Sequence, residues 1–225
     1  MRSAPALNIT LGFVAGYVDA IGFMALFGLF TAHITGNLVL LGAEVATPGH
    51  TLPLLKILAF PAFIAGVAMA KMIASACQKN ACNARLVLYV IETVLLTIFM
   101  LVGLVATPVE DHMSRIAICA GIMGAMAMGV HSACGRLLLS DLAPTVMMTG
   151  NVTQFVIELV DLFQENGDKS ARSRCAKYFW AIVAFAFGVL IAAFAYFQFG
   201  FQALVLPIIL LMFLGCAEAR HGGGS

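Results

Sequence analysis

Residues 31–44 read T-A-H-I-T-G-N-L-V-L-L-G-A-E, and this segment decides the fold because part of it returns half a chain later. Its triplet Thr35-Gly36-Asn37 recurs 114 residues later as Thr149-Gly150-Asn151. An acid recurs as well, since Glu158 lies 114 residues after Glu44. A period of about half the chain indicates an internal duplication. The sequence therefore predicts two similar halves, each carrying a polar triplet.

The composition is that of a membrane protein. Of the 225 residues, 62% are hydrophobic and 10% are charged, and the mean hydropathy is +1.01. Soluble domains average about 25% charged residues. A soluble fold could not cover this much apolar surface, so the lipid bilayer is the expected solvent and partner. The net charge of +1 argues against binding to nucleic acid.

The cysteines do not indicate a cross-linked scaffold. The six of them lie mostly within apolar runs, which argues against a disulfide framework. Cys77 and Cys82 are the only close pair in a predicted loop, and their spacing would suit a metal ion. No second pair or nearby histidine completes such a site. We therefore predict no metal and no cofactor.

Apolar runs predict six long helices and two short ones. The short helices, over residues 37–46 and 151–163, each follow a polar break. Ten helical residues rise only about 15 Å, half of a hydrocarbon core of roughly 30 Å. The fourth long helix carries Ala or Gly at every fourth position from Ala117 to Ala133, which predicts a close-packed place in the bundle centre. The long helices are predicted at about 8–30, 54–76, 85–105, 114–139, 176–196 and 201–217, with a mixed-charge loop over 165–177.

The positive charges favour six spans with re-entrant short helices. In that arrangement, with the N-terminus inside, ten Lys or Arg lie inside, and only Lys56 and Arg115 lie outside. If the short helices crossed instead, the split would be 8 to 4. The ten inside are Arg2, Lys71, Lys79, Arg85, Arg136, Lys169, Arg172, Arg174, Lys177 and Arg220.

Three spans per half require the halves to be inverted relative to each other. We assign residues 1–110 to the first repeat and 111–221 to the second, and read 222–225 as an appended linker. Non-helical backbone is tolerated at membrane depth only where protein buries it or water reaches it. Inverted repeats with broken helices place their binding site where the breaks meet. The expected fold is thus all-α transmembrane, with the site between the two triplets.

The triplets have two interpretations that can coexist. The Asn and Thr side chains of Thr35-Gly36-Asn37 and Thr149-Gly150-Asn151 could cap the short helices. A helix start at membrane depth also leaves free N–H groups and a partial positive charge, which suit an anion or a carbonyl oxygen. We therefore take both triplets as candidate substrate-binding residues.

Isolated polar residues in apolar segments are further candidates. Asp19 lies at the middle of the first helix, where a charge costs roughly 3 kcal/mol, so it is a candidate for proton or charge coupling. His131 is a second coupling candidate, and His33 could line the substrate site. For all three, a packed side chain hydrogen-bonded between helices is the alternative. Glu92 is expected to be paired or interfacial, and Arg136 to set topology. Glu44 and Glu158 are expected at solvated helix ends, with gating as the alternative.

Four segments resemble the YoaK family of bacterial membrane proteins, whose function is unknown. They are A-G-Y-V-D-A-I-G-F at 15–23, T-A-H-I-T-G-N-L-V-L-L-G at 31–42, A-M-G-V-H-S-A at 127–133 and T-V-M-M-T-G-N at 145–151. The resemblance implies a multi-span protein of the bacterial inner membrane. His131 and His33 depart from the family pattern, which often has Gln and Asn there. A looser architectural likeness links the pattern to uracil-permease and sulfate-permease type transporters, which face two half-helix starts across a central site.

These observations predict an inner-membrane transporter or channel for a small polar solute, with both termini in the cytoplasm. The solute is expected to be rich in hydrogen-bond acceptors or anionic, and a homodimer is left open. The first rival is a membrane enzyme, for which no H-E-x-x-H or G-x-S-x-G motif is visible. The second rival is a scaffold protein, which the small-residue stripes would suit equally well. A cavity between the breaks would favour transport, and a dry contact would favour the scaffold.

The charge distribution predicts a specific membrane topology. Cys77 and Cys82 should face the cytoplasm, and a cysteine placed at His50 should face outside, because ten of twelve cations then lie inside. Impermeant thiol reagents applied to intact cells measure this directly. Labelling at residue 77 from outside would contradict the six-span arrangement.

Overall fold

The computed structural model describes residues 4–47, 54–109, 114–164 and 169–222, and these residues are helical almost throughout. Position 50, the repeat boundary at 110 and 111, and residues 223–225 lie outside the described ranges. A short 3₁₀ segment, Gly200–Leu204, joins the last two helices. The helices are α1 Ala4–Ala25, α2 Ile34–Ala46, α3 Leu54–Lys79, α4 Ala84–Ala106, α5 Arg115–Leu138, α6 Met148–Gln164, α7 Lys169–Phe199 and α8 Val205–Gly222.

Five helical stretches among the described residues are long and apolar enough to cross a membrane. They correspond to α1, α3, α4, α5 and the continuous run of α7, the 3₁₀ segment and α8. Large apolar side chains cover the outer faces; Phe194 is 76% exposed and Phe197 is 84% exposed. Exposed apolar patches of this kind suit lipid rather than water. The prediction of an all-helical transmembrane fold is confirmed at this level.

Helix α1 ends five residues earlier than the sequence indicates. It stops at Ala25, and Phe27 and Gly28 follow with positive φ angles of 51° and 74°. The Gly28 N–H donates to the Phe23 carbonyl five residues earlier, which is the hydrogen bond that closes a helix end in a Schellman motif. The prediction extended the helix to Phe30 because the run F-G-L-F is apolar. The glycine permits a turn there that hydropathy does not reveal.

Both short helices and the loop predicted before α7 also differ from the sequence prediction. The short helices begin three residues earlier than predicted, at Ile34 and Met148, so each Thr-Gly-Asn triplet lies in a first turn rather than ahead of it. The predicted loop over 165–177 is wrong from Lys169 onward, where α7 has already begun. Residues 169–177 contain no Gly or Pro, and Lys, Arg and Ala are good helix formers despite their polarity.

The two halves interlock through a reciprocal pair of helix crossings. Helix α1 packs along α7, and α5 packs along α3. At the first crossing a Cβ on Gly16 would collide with the Phe185 carbonyl; at the second a Cβ on Gly129 would collide with the Phe63 carbonyl. Gly188 and Gly66 meet the backbones of α1 and α5 from the opposite side. Only glycine allows backbones this close, and α5 is largely buried as its stripe predicted.

The close cysteine pair lies at the end of α3 and in the loop that follows it. Cys77 of α3 and Cys82 form a disulfide, a single local bridge that the sequence did not predict. A labelling experiment at residue 77 therefore needs prior reduction. Lys79→Cys in a cysteine-free background reports on the same loop without that complication. The other cysteines that the structure describes, at positions 119, 134, 175 and 216, are free.

Candidate functional site

The first break, residues 26–33, is held by the carboxylate of Asp19. This side chain is only 4% exposed. Its Oδ1 accepts a hydrogen bond from the Ala32 N–H at 2.7 Å, with longer contacts to the Thr31 hydroxyl and the His33 N–H at 3.4 Å. Its Oδ2 pairs with His33 Nδ1 at 2.7 Å. The mid-span acid therefore satisfies backbone donors that the bilayer could not.

The second break, residues 139–147, is held by a histidine. His131 of α5 is 3% exposed, and its Nε2 lies 2.9 Å from the Thr145 hydroxyl. Its Nδ1 lies 2.7 Å from Oε1 of Glu92 on α4. Glu92 is 1% exposed, and its Oε2 has no partner among the described residues. The break is thus connected through one imidazole to a buried carboxylate of a neighbouring helix.

Both breaks fold back alongside the helix that precedes them. Asp19 lies six residues before the end of α1, or roughly 9 Å along its axis. His131 lies seven residues before the end of α5, or roughly 10 Å. Their partners Thr31 and Thr145 are 114 residues apart, the spacing of the triplets themselves. Thr31 and Thr145 thus hold matching places in the two breaks, as the predicted repeat would require.

The asparagines of the triplets close the breaks rather than cap the short helices. Asn37 donates from Nδ2 to the Phe30 carbonyl at 2.7 Å and accepts from the Phe30 N–H at 2.9 Å. Asn151 donates to the Pro144 carbonyl at 2.6 Å; proline has no N–H for a return bond. His33 occupies the N-cap position of α2, with no side-chain cap hydrogen bond. The capping interpretation is therefore wrong for Asn37, and Asn151 occupies the matching position inside α6.

The two breaks meet at a cavity of about 480 Å³, here called the central cavity. Thr35 lines it from the first triplet, and Thr149 and Gly150 line it from the second. His33 contributes from the first break, and α5 contributes Arg136. Asn37 and Asn151 are buried elsewhere, each against its own break. The site thus uses the threonines of the triplets for its walls and the asparagines for its support.

Two further cavities adjoin the central cavity. One of about 520 Å³, the Asp19 cavity, shares His33 and Thr35 with it and also contains Asp19 and Gly36. The other, of about 160 Å³, lies beneath the second break and shares Arg136 with the central cavity. The Asp19–His33 pair therefore stands between two spaces. A change in the charge of this pair would alter the electrostatic potential in both cavities.

Each short helix pairs with the next long helix through an acid seven residues after the asparagine of its triplet. Glu44 of α2 pairs with Lys56 at the start of α3. Glu158 of α6 pairs with Arg174 of α7 at 2.7 Å and also accepts from Gln154. The hydrogen bond from Arg174 lowers the pKa of the Glu158 carboxyl. The prediction that Glu44 and Glu158 are only solvated is therefore wrong, since each acid forms an ion pair with a neighbouring helix.

The structure groups the candidate residues differently from the sequence argument. Asp19 and His131, considered there as a coupling pair, have separate partners, His33 and Glu92. Glu92 is paired, as expected. Its connection to the second break was not predicted, although an acid in an apolar span is itself a signal. Sequence reasoning also assigned Arg136 to topology, because no linear spacing showed that the residue reaches the second break.

Comparisons with known proteins place the chain among relatives of unknown function. The family model described as "Protein of unknown function (DUF1275)" matches residues 7–217. The UPF0700 transmembrane protein YoaK of Bacillus subtilis (strain 168) is 24% identical over 200 residues, an alignment that covers 88% of this chain and 86% of YoaK. No solved structure matches. The resemblance inferred from the four sequence segments is confirmed.

The asparagine contacts predict unequal costs for two matched substitutions. Asn37→Ala removes both bonds to Phe30, whereas Asn151→Ala removes the bond to the Pro144 carbonyl. Each backbone group left unsatisfied costs about 1–3 kcal/mol, so Asn37→Ala should lower the unfolding temperature in detergent more than Asn151→Ala. Asn80→Ala, at an exposed position after α3, is the control. Equal losses, or none, would show that these bonds do not hold the breaks.

Proposed function

We propose, from the premise that the chain belongs to the DUF1275 family of proteins of unknown function, that it is a membrane transporter or channel for a small polar solute. The observation that carries the proposal is the central cavity, whose wall includes residues of both triplets. Packing alone does not require two polar breaks to face one open space. The volume of about 480 Å³ lies within the usual range of small-molecule sites, about 300–1,000 Å³.

The proposal includes six spans, two re-entrant helices and inverted repeats. The run from Ser170 to Arg220 contains 51 residues, which as one straight helix would be about 77 Å long. That exceeds a hydrocarbon core of roughly 30 Å, so α7 and α8 are better read as separate spans divided at the 3₁₀ segment. The fold-back of both breaks and the reciprocal glycine crossings support re-entrance and duplication. The binding site then lies at the repeat interface.

The lining of the central cavity favours a solute that accepts hydrogen bonds. Thr35 and Thr149 supply hydroxyl groups, and both residues lie in the first turn of a short helix. The N–H groups of such a turn have no partner within their own helix and carry a partial positive charge. Gly150 has nothing within 4 Å of where a Cβ would be, so its backbone is open to the cavity. Carbonyl compounds and anions match these donors, and amines do not.

Asp19 and His33 are the proposed charge-coupling pair. Both line the Asp19 cavity, and His33 also lines the central cavity. Their contact at 2.7 Å makes the charge of each depend on the other. A proton that joins or leaves this pair would change the charge beside the solute. His131 and Glu92 form the corresponding contact at the second break, away from the central cavity lining.

The scaffold protein remains the second candidate, because the interlocked small-residue crossings would serve it equally well. A scaffold, however, gains nothing from an open cavity bounded by hydroxyl groups. An enzyme has less support, since no known catalytic motif matches the cavity residues. Transport therefore accounts for more of the site.

The first functional test is a binding panel on purified protein. Small carboxylates, inorganic anions, amides and amines are titrated, and acceptor-bearing compounds should bind while amines should not. Thr35→Val and Thr149→Val should each weaken binding about 5- to 30-fold, because a lost hydrogen bond of about 1–2 kcal/mol has that effect. Thr153→Val should bind normally, because Thr153 lies one turn after Thr149, outside the cavity lining, and its hydroxyl bonds to the Thr149 carbonyl within the helix. Selective amine binding, unchanged by both substitutions, would overturn the assignment of the site.

The second functional test concerns Asp19. In proteoliposomes loaded with a solute identified by the panel, Asp19→Asn should abolish accumulation against a gradient and retain exchange across the membrane. The amide keeps an oxygen for the Ala32 N–H but cannot carry the exchangeable charge. Concentrative uptake equal to that of the unaltered protein would exclude a coupling role for this residue.

A further inference from the structure

The charged groups around the central cavity are unbalanced. Its lining includes the guanidinium of Arg136 and the imidazole of His33 and contains no Asp or Glu. The adjoining small cavity under the second break includes Arg136 and likewise no carboxylate. Three acids lie near the breaks among the described residues. Asp19 lines the neighbouring cavity, where His33 already occupies one of its oxygens, Glu92 reaches the second break through His131, and Asp141 lines a separate cavity with Arg174 and Lys177. Arg136 is therefore a cation of the central cavity lining that no carboxylate offsets among the described residues.

Arg136 has no anionic partner among the described residues. Its Nη2 contacts the Met147 sulfur, and a thioether is a weak, uncharged acceptor. By contrast, Lys56, Arg85 and Arg174 each pair with a carboxylate. A guanidinium presents five N–H donors in a planar fork that matches the two oxygens of a carboxylate or phosphate. Most of these donors remain available in the cavity.

The place of Arg136 in the fold explains why this charge can be tolerated. It lies two residues before the end of α5, so its long side chain can extend toward the membrane surface. The side chain is exposed, as that position allows, and it also lines two adjoining cavities, with its head against Met147 of the second break. It would therefore meet a solute that enters either cavity.

We infer that the solute is a small oxyanion, a carboxylate or an inorganic oxyanion, and that Arg136 holds its negative group in the central cavity. The inference rests on the proposed transport function and narrows its solute from acceptor-rich compounds to anions. Arg136 forms the charge-assisted bonds, and the hydroxyls of Thr35 and Thr149 complete the contacts from the two triplets. Arg136 is thereby a specificity-determining residue and not only a topological one.

The experiment compares matched pairs of anions and neutral amides. Acetate against acetamide and benzoate against benzamide differ in charge and little in shape, and sulfate and phosphate extend the series. Calorimetric titration of the purified full chain in lipid nanodiscs should show at least tenfold tighter binding of each carboxylate than of its amide. Arg136→Gln should remove that preference and leave amide affinity unchanged. Arg172→Gln, an exposed arginine near the start of α7 and outside the cavity lining, should bind as the unaltered protein does.

Arg136→Lys provides the second variant, because it keeps the positive charge if the Gln variant fails to fold. It should bind acetate and benzoate several-fold more weakly than the unaltered protein, since an ammonium cannot bind both oxygens in a planar fork. If amides bind as tightly as carboxylates, or if neither Arg136 variant alters the preference, the inference is wrong and the transport proposal stands. If no compound in either series binds, both are wrong.

Discussion

The architecture depends on hydrogen bonds that side chains make to interrupted backbone inside an apolar environment. A helix satisfies its own N–H and C=O groups, and a break does not. In this protein a few polar side chains form hydrogen bonds with the backbone N–H and C=O groups that the breaks leave without helical partners. Asn37 bonds to both polar groups of Phe30, and Asp19 accepts from the Ala32 N–H. Without such partners, each unsatisfied group would cost several kcal/mol in lipid, and the short helices could not begin beside the long ones.

These supports account for most of the buried polar residues that the sequence leaves unexplained. Asp19, Asn37 and His131 are each nearly inaccessible, and each is bonded to a break. A structural role therefore comes first for all three. Function follows from where the supported backbone is placed, since the breaks bring Thr35 and Thr149 to one cavity. Support and site thus involve different residues of the same triplets.

The helical class and the packing seam of α5 could be predicted, because apolar runs and a four-residue spacing are visible along the chain. The two-fold repeat stays a prediction. The end of α1, the partner of Asn37 and the role of Arg136 could not be predicted. The first depends on a glycine turn within an apolar run, and hydropathy does not register it. The partner of Asn37 and the role of Arg136 depend on tertiary contacts, and the spacing of residues along the chain does not show which segments meet. The Cys77–Cys82 bond could not be predicted either, because apolar surroundings make a disulfide framework improbable and carry no information about a single local bridge.

The two halves differ at positions that the 114-residue spacing pairs. At the spacing of 114 residues, His33 corresponds to Met147 and Phe30 to Pro144. The first half therefore has a titratable imidazole paired with an acid at the position where the second half has a thioether against Arg136. Two identical breaks would surround a solute with equal charges on both sides. Here one side carries Arg136 and the other carries the Asp19–His33 pair. In the proposed transporter, an anion would bind at Arg136 and be released when the charge of that pair alters, which a symmetric site would not permit.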